Sequence, residues 1–122
     1  MVASVDTNKN AATSEWSTSA LVRETRLEPS ELARYLRVTS PAFDRCLDRD
    51  RFSRQHRSKL LRLIAVLDRA ERVLGDRARA IYWLLSANRA LDFNAPLASL
   101  DTKSSIARVY EVLLRIENGA FA

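Results

Sequence analysis

The side chains with the clearest capacity for chemistry in this 122-residue chain are basic ones gathered in its first half. Between Arg34 and Arg62 stand nine of them (Arg34, Arg37, Arg45, Arg49, Arg51, Arg54, Arg57, Lys59 and Arg62) against three acids, Asp44, Asp48 and Asp50, a local surplus of six in a chain whose net charge is +5. Clustered guanidinium and ammonium groups neutralise phosphates, so the stretch has the footprint of a nucleic-acid face; a solvated, arginine-rich helix side has the same composition. Other chemistries lack their parts. The single cysteine, Cys46, cannot close an internal disulfide, and with His56 as the one histidine there is no cluster of soft ligands for a metal. Neither a Gly-rich phosphate loop, nor a nucleophile elbow, nor a paired His/Cys or His/Asp arrangement is present, so neither an enzyme nor a cofactor is expected.

The elements that must position these charges read as helices throughout. Hydrophobic residues make up 47% of the chain and charged ones 29%, with only two glycines and three prolines to punctuate it, which is an all-α balance. Residues 1–15, small and polar without periodicity, read as a disordered arm. A first helix is expected between Trp16 and Leu27. Ser30, after Pro29, is the expected cap of a short helix "ELARYL" with Leu32 and Leu36 on one face and the small Ala33 between them. Thr39 or Ser40 then caps a helix opening at Pro41 and carrying Phe43 and Leu47 four apart on one face. Ser53 starts a long helix to Leu74 with an apolar stripe of Leu60, Leu61, Ile64, Leu67, Ala70, Val73 and Leu74, closed by Gly75. A helix from Asp76 to Leu85 with Ile81, Trp83 and Leu84 follows, then an irregular connection with one turn after Pro96. The last helix, capped by Asp101 or Thr102, buries Ile106, Val109, Tyr110, Leu113 and Ile116 before Gly119. Its domain reading is an arm over 1–15, a DNA-binding region over 16–75 and a partner-binding region over 76–122.

The helix pair between residues 30 and 50 has the proportions of a helix-turn-helix, whose second helix lies in the DNA major groove. With Phe43 and Leu47 inward, Ser40, Asp44, Arg45, Asp48 and Arg49 point outward; Ser40, Arg45 and Arg49 could meet base edges or phosphates, while Arg51, Arg54 and Lys59 would track the backbone. Arg37 occupies the turn position where a glycine with positive φ is usual, and Asp44 and Asp48 add negative charge to the same face. A helical hairpin that only packs is the other reading of this segment. No apolar run reaches the roughly 18 residues of a membrane span, and the start lacks the order of a signal peptide, which points to the cytoplasm.

The final 43 residues, "AIYWLLSANRALDFNAPLASLDTKSSIARVYEVLLRIENGAFA", resemble the toxin-binding domain of the Xre/MbcA/ParS antitoxins. Trp83-Leu84, Asn88, Ala90-Leu91, Pro96-Leu97, Leu100-Asp101-Thr102, Val109, Leu113, Arg115-Ile116 and Gly119 fall on that family's pattern; Ala87 stands where it has proline and Ser105 where it usually has glycine. The resemblance implies a partner, a RES-type toxin that depletes NAD, whose active-site cleft is reached by the antitoxin's C-terminal end. It implies toxin contacts at Asn88, Arg115, Asn118, Gly119, Ala120, Phe121 and Ala122. Burying the Phe121 ring in a partner would contribute about 1.5–3 kcal/mol, unless it folds back beside Ile116 instead. The expectation from sequence is therefore an all-α antitoxin of a type II toxin–antitoxin system, with an N-terminal helix-turn-helix that binds operator DNA as a homodimer and represses its own operon. The alternatives are a stand-alone helix-turn-helix regulator whose C-terminal helices dimerise it, and an adaptor whose helix-turn-helix no longer binds DNA.

Overall fold

The computed structural model describes residues 16–119; the arm over 1–15 and the tail Ala120-Phe121-Ala122 lie outside the described residues. Six α-helices account for most of them: α1 (Thr18–Thr25), α2 (Pro29–Leu36), α3 (Ser40–Arg49), α4 (Arg54–Leu74), α5 (Arg77–Leu85) and α6 (Lys103–Glu117), with two short 3-10 turns at Arg89–Leu91 and Pro96–Ser99. Among the described residues the fold is all-α, and one isolated bridge, Asn88 to Asn94, is the only β-type pairing. Two compact units, Met1–Leu61 and Arg62–Ala122, divide the chain within α4.

In the first unit α1, α2, α3 and the start of α4 bury Leu21, Leu32, Leu36, Phe43 and Leu60. The caps are local. Ser17 accepts the amide of Ala20 at 3.1 Å, Thr39 that of Ala42 at 3.2 Å, and Ser53 that of His56 at 3.0 Å. Ser30 is not the cap of α2. Proline pushes the residue before it into extended backbone and is itself preset for the first helical position, so the helix starts at Pro29 with Glu28 as its extended boundary, two residues earlier than Ser30 would allow. For α3 the cap is Thr39, and Ser40 is already helical.

Each of these three helices ends on a left-handed residue that is not glycine: Arg26, Arg37 and Asp50, with φ of 62°, 61° and 51°. Arg37 thus takes the conformation for which glycine is usual, held by bonds from its own N–H to Arg34 O (3.1 Å) and from Val38 N–H to Ala33 O (3.0 Å). Asp50 has a second task. Its carboxylate accepts the N–H of Ser19 at 3.0 Å in the first turn of α1, while the Ser19 hydroxyl donates to Leu47 O at 3.1 Å, so the start of α1 is latched to the end of α3. An anion at a helix N-terminus is favoured by the unpaired N–H groups there.

The N–H of Ser19, with smaller help from the Ser19 side chain, Arg23 and Arg57, holds the Asp50 carboxyl below its ordinary 3.8. A depressed folded pKa means stability that is fully present above pH 3.8 and lost as pH falls through the folded value. Asp50→Asn keeps a residue tolerant of the left-handed turn but removes the charge. The variant should melt below the unsubstituted protein at pH 7, and the gap should close as pH is lowered beneath 3.8. Melting curves at a series of pH values check this, and a gap independent of pH would overturn the charged latch.

In the second unit the rest of α4 packs with α5, the turns and α6 around Leu63, Ile64, Val66, Leu67, Ala70, Ala80, Leu84, Leu91, Leu100, Val109, Val112 and Leu113, all buried. The stripe expected on α4 is corrected here. Leu63 and Val66 are fully buried, whereas Leu61, Val73 and Leu74 are partly exposed. At about 100° per residue the buried positions of α4 cover an arc of roughly 160°, wider than one stripe, and Leu61 falls outside it. On α6 Val112 joins the core, while Ile106, Tyr110 and Ile116 are half-buried. Burial pushes the Tyr110 phenol up from its ordinary value, against the pull of Arg69.

Polar contacts finish this unit. Arg77, at the start of α5, is buried and meets Asp68 at 3.0 Å and Glu71 at 3.3 Å, both on α4. Arg69 of α4 pairs with Glu117 of α6 at 2.9 Å. Thr102 caps α6 by accepting the amide of Ser105 at 3.1 Å, and the Ser105 hydroxyl lies 3.3 Å from the Thr102 N–H. The serine that stands where glycine is usual in the resembled pattern therefore completes a reciprocal capping box.

Candidate functional site

Each unit presents its own surface. In the first, α3 is seated by Phe43, which is 1% exposed and meets the Phe52 ring edge-on at 5.7 Å between centroids. Leu47 is half-buried rather than fully buried. That seating turns Ser40, Asp44, Arg45, Asp48 and Arg49 to solvent, and Arg51 and Arg54 beyond the helix are exposed as well. At helical spacing Asp44 and Asp48 form one stripe and Arg45 and Arg49 the stripe beside it. Arg37, Arg45, Arg49, Arg51 and Arg54 make no ion pair among the described residues.

Lys59 is placed differently from these. Its ammonium donates to Tyr35 O at 2.8 Å and lies 4.8 Å from the centre of the Tyr35 ring, while the Tyr35 hydroxyl donates to Lys59 O at 2.9 Å. The guanidinium of Arg57 likewise donates to the Thr18 hydroxyl at 3.1 Å. Both charges thus tie α4 to α1 and α2.

In the second unit four of the eight arginines are ion-paired: Arg69 and Arg77 as already described, Arg79 with Asp76 at 3.7 Å and Arg108 with Asp92 at 3.5 Å. Large apolar side chains are exposed in this unit as well. Among the described residues Tyr82 (77% exposed), Leu85 (38%), Phe93 (68%) and Leu114 (48%) are the exposed large hydrophobic side chains, and all four lie in this unit. None was among the side chains read from the sequence as partner contacts. For Tyr82 a signal existed: in "AIYWLL" a run of consecutive apolar residues goes all the way around a helix, and a helix with one covered face must leave some of it outside.

The loop after α5 holds Phe93 by a dense set of bonds. Asn88 N–H donates to Asn94 O (3.1 Å), Phe93 N–H to Asn88 O (2.8 Å), and the Asn88 side chain accepts the amide of Ala90 (2.9 Å). The Asn94 side chain donates to Leu91 O (3.1 Å), and Arg108 of α6 donates to Ala90 O (2.8 Å). Asn88 is thus half-buried and its side-chain oxygen serves the loop. Arg115, Asn118 and Gly119 are exposed, with Gly119 at φ 74° closing α6. Ala120, Phe121 and Ala122 lie outside the described residues.

Among the described residues no group of His, Cys, Asp and Glu could hold a metal, and no helix is long and apolar enough to cross a membrane. Cys46 is half-buried on α3.

Residues 69–119, which hold the end of α4, α5, the bonded loop and α6, match the family described as the antitoxin Xre/MbcA/ParS C-terminal toxin-binding domain. Two proteins named antitoxin Xre are similar over longer stretches. The one from Photorhabdus laumondii subsp. laumondii is 30% identical over 76 residues, 62% of this chain and 51% of its own length. The one from Yersinia enterocolitica serotype O:8 / biotype 1B is 26% identical over 95 residues, 76% of this chain and 64% of its own. This chain therefore spans about half to under two thirds of the relatives it matches. Through residues 69–119, which include most of the segment that the resemblance in the final helices pointed to, the chain is similar to the Xre/MbcA/ParS antitoxin family.

Proposed function

We propose that this chain is the antitoxin of a toxin–antitoxin pair: residues 76–122 hold and block a cognate RES-type toxin that depletes NAD, and residues 16–75 bind operator DNA as a homodimer and repress the operon. It acts by occlusion and performs no chemistry itself. The observation that carries the reading is a coincidence of two maps. The segment matching a toxin-binding family, 69–119, is also the segment that holds every exposed large hydrophobic side chain among the described residues. Exposed apolar groups of this kind mark protein-binding surfaces. Support for DNA comes from the first unit, where Arg45, Arg49, Arg51 and Arg54 are exposed and make no ion pair among the described residues, while four of the second unit's eight arginines are paired.

Within this reading, binding and blocking are separable. The helices that build the toxin-holding unit end at Glu117, with Asn118 and Gly119 as the stop, so removing residues 120–122 leaves their bonds in place. Co-expression with the product of the adjacent gene, followed by an assay of NAD loss at saturating antitoxin, tests both parts. The full chain should co-purify with the toxin and abolish NAD loss. The chain shortened after Gly119 should still bind but leave residual NAD loss, and Phe121→Ala should weaken blocking by about 1.5–3 kcal/mol if its ring enters the cleft. Full inhibition by the shortened chain would overturn the plug, and no association of the full chain would overturn the antitoxin reading itself.

A further inference from the structure

Phe93 stands in an arrangement that nothing in its own unit rewards. Its φ is 66°, directly after Asp92 at 59°, so two consecutive residues with side chains occupy the left-handed region, which is an outlier for a bulky residue. Its ring is nevertheless 68% exposed, so the backbone strain is not offset by burial. The loop is locked as well: Phe93 N–H is bonded to Asn88 O, Asn88 N–H to Asn94 O, and Arg108 holds Ala90 O from α6. A strained backbone that its surroundings over-determine, at an exposed aromatic, is the pattern of a ligand clamp or binding anchor.

The Asn88 to Asn94 bridge returns the backbone next to Phe93 to Asn88, three residues after Leu85 at the end of α5 and six after Tyr82. Tyr82 and Leu85, at i and i+3, share one side of the helix. Residues 82–93 all fall within the segment matched to the toxin-binding family, which commits the occupant of this apolar surface to the toxin rather than to a second copy of the chain. We propose that Phe93 is the anchor by which the unit grips its toxin, its ring entering an apolar pocket of the toxin while the bonded loop holds the ring ready beforehand. The proposal rests on the antitoxin reading above, and it assigns the grip to the loop, distinct from the blocking assigned to residues 120–122.

The test uses the full chain and the purified toxin encoded by the adjacent gene, with affinity measured by calorimetry and stability by melting of the antitoxin alone. Phe93→Ala and Phe93→Gly should each weaken toxin binding by roughly 30-fold or more, the loss typical of removing an anchor aromatic, and Phe93→Tyr should restore most of it. Phe93→Gly should melt at or above the temperature of the unsubstituted chain, because glycine takes a positive φ without steric cost. A side chain that served only the fold would give the reverse, a lower melting temperature with unchanged affinity, and that outcome would overturn the proposal. So would Phe93 variants that bind the toxin normally but change the antitoxin's own mass in solution, which would give the surface to a second copy. If the unsubstituted chain does not bind the toxin, the antitoxin reading falls and the anchor with it; if it binds and is indifferent to Phe93, only the anchor falls.

Discussion

Phe43→Ala is expected to destabilise the protein by about 3–5 kcal/mol, the range for truncating a buried phenylalanine. Phe43 is 1% exposed, and its ring packs edge-on against Phe52, so the substitution removes the largest fully buried side chain and leaves a cavity under α3. In a domain of this size the melting temperature should fall by roughly 10–20 °C. The neighbouring residue is the control: Asp44 is exposed and forms no ion pair among the described residues, so Asp44→Ala should stay within about 0.5 kcal/mol. Thermal melts of the two variants make the comparison. If Phe43→Ala melted within a few degrees of the unsubstituted chain, α3 would not be seated as described, and the outward aim of Arg45 and Arg49 would lose its basis.

On the proposed DNA-binding reading, the double variant Arg45→Ala/Arg49→Ala should leave the fold intact and weaken operator binding. Both side chains are exposed and unpaired among the described residues, so melting should change little. Each arginine that makes a bidentate contact to a base contributes roughly 1–3 kcal/mol of discrimination, and four residues apart on one helix they would act on adjacent positions, so their losses need not add. If instead they meet phosphates, the loss should fall equally on all sequences, and the slope of log K against log salt should decrease by about 0.9 for each contact removed. Gel shifts of the operator and of an unrelated duplex, at several fixed salt concentrations, separate the two cases. An unchanged operator affinity in the double variant would end the DNA-reading role of α3 and favour an adaptor in which the helix pair only packs. Lys59→Ala is a useful contrast: because Lys59 is engaged with Tyr35, its replacement should act on stability as well as on any DNA contact.

What was legible in the sequence is the chemistry that closes within a few residues. The helical class, the starts at Thr39, Ser53, Asp76 and Thr102, and the stops at Gly75 and Gly119 all rest on bonds or backbone angles set by neighbours three or four positions away. The resemblance to the antitoxin family was legible for a related reason: of the positions that carry it, Asn88, Pro96, Thr102 and Gly119 are caps, turns and stops that the chain's order displays. Tertiary structure decided the rest. Lys59 meets Tyr35 across 24 residues, Arg62 meets Leu100 across 38, and Arg69 meets Glu117 across 48, separations at which no local periodicity says which charge is taken and which is left. The same holds for the latch of Asp50 on Ser19, 31 residues away, which fixes a left-handed helix end on a residue that is not glycine. Apolar patterning fails at Tyr82 and Phe93 because hydrophobicity records only that a side chain prefers to leave water. Whether it does so inside its own fold depends on which faces the other helices cover, and a bonded loop can hold an aromatic outside against that preference.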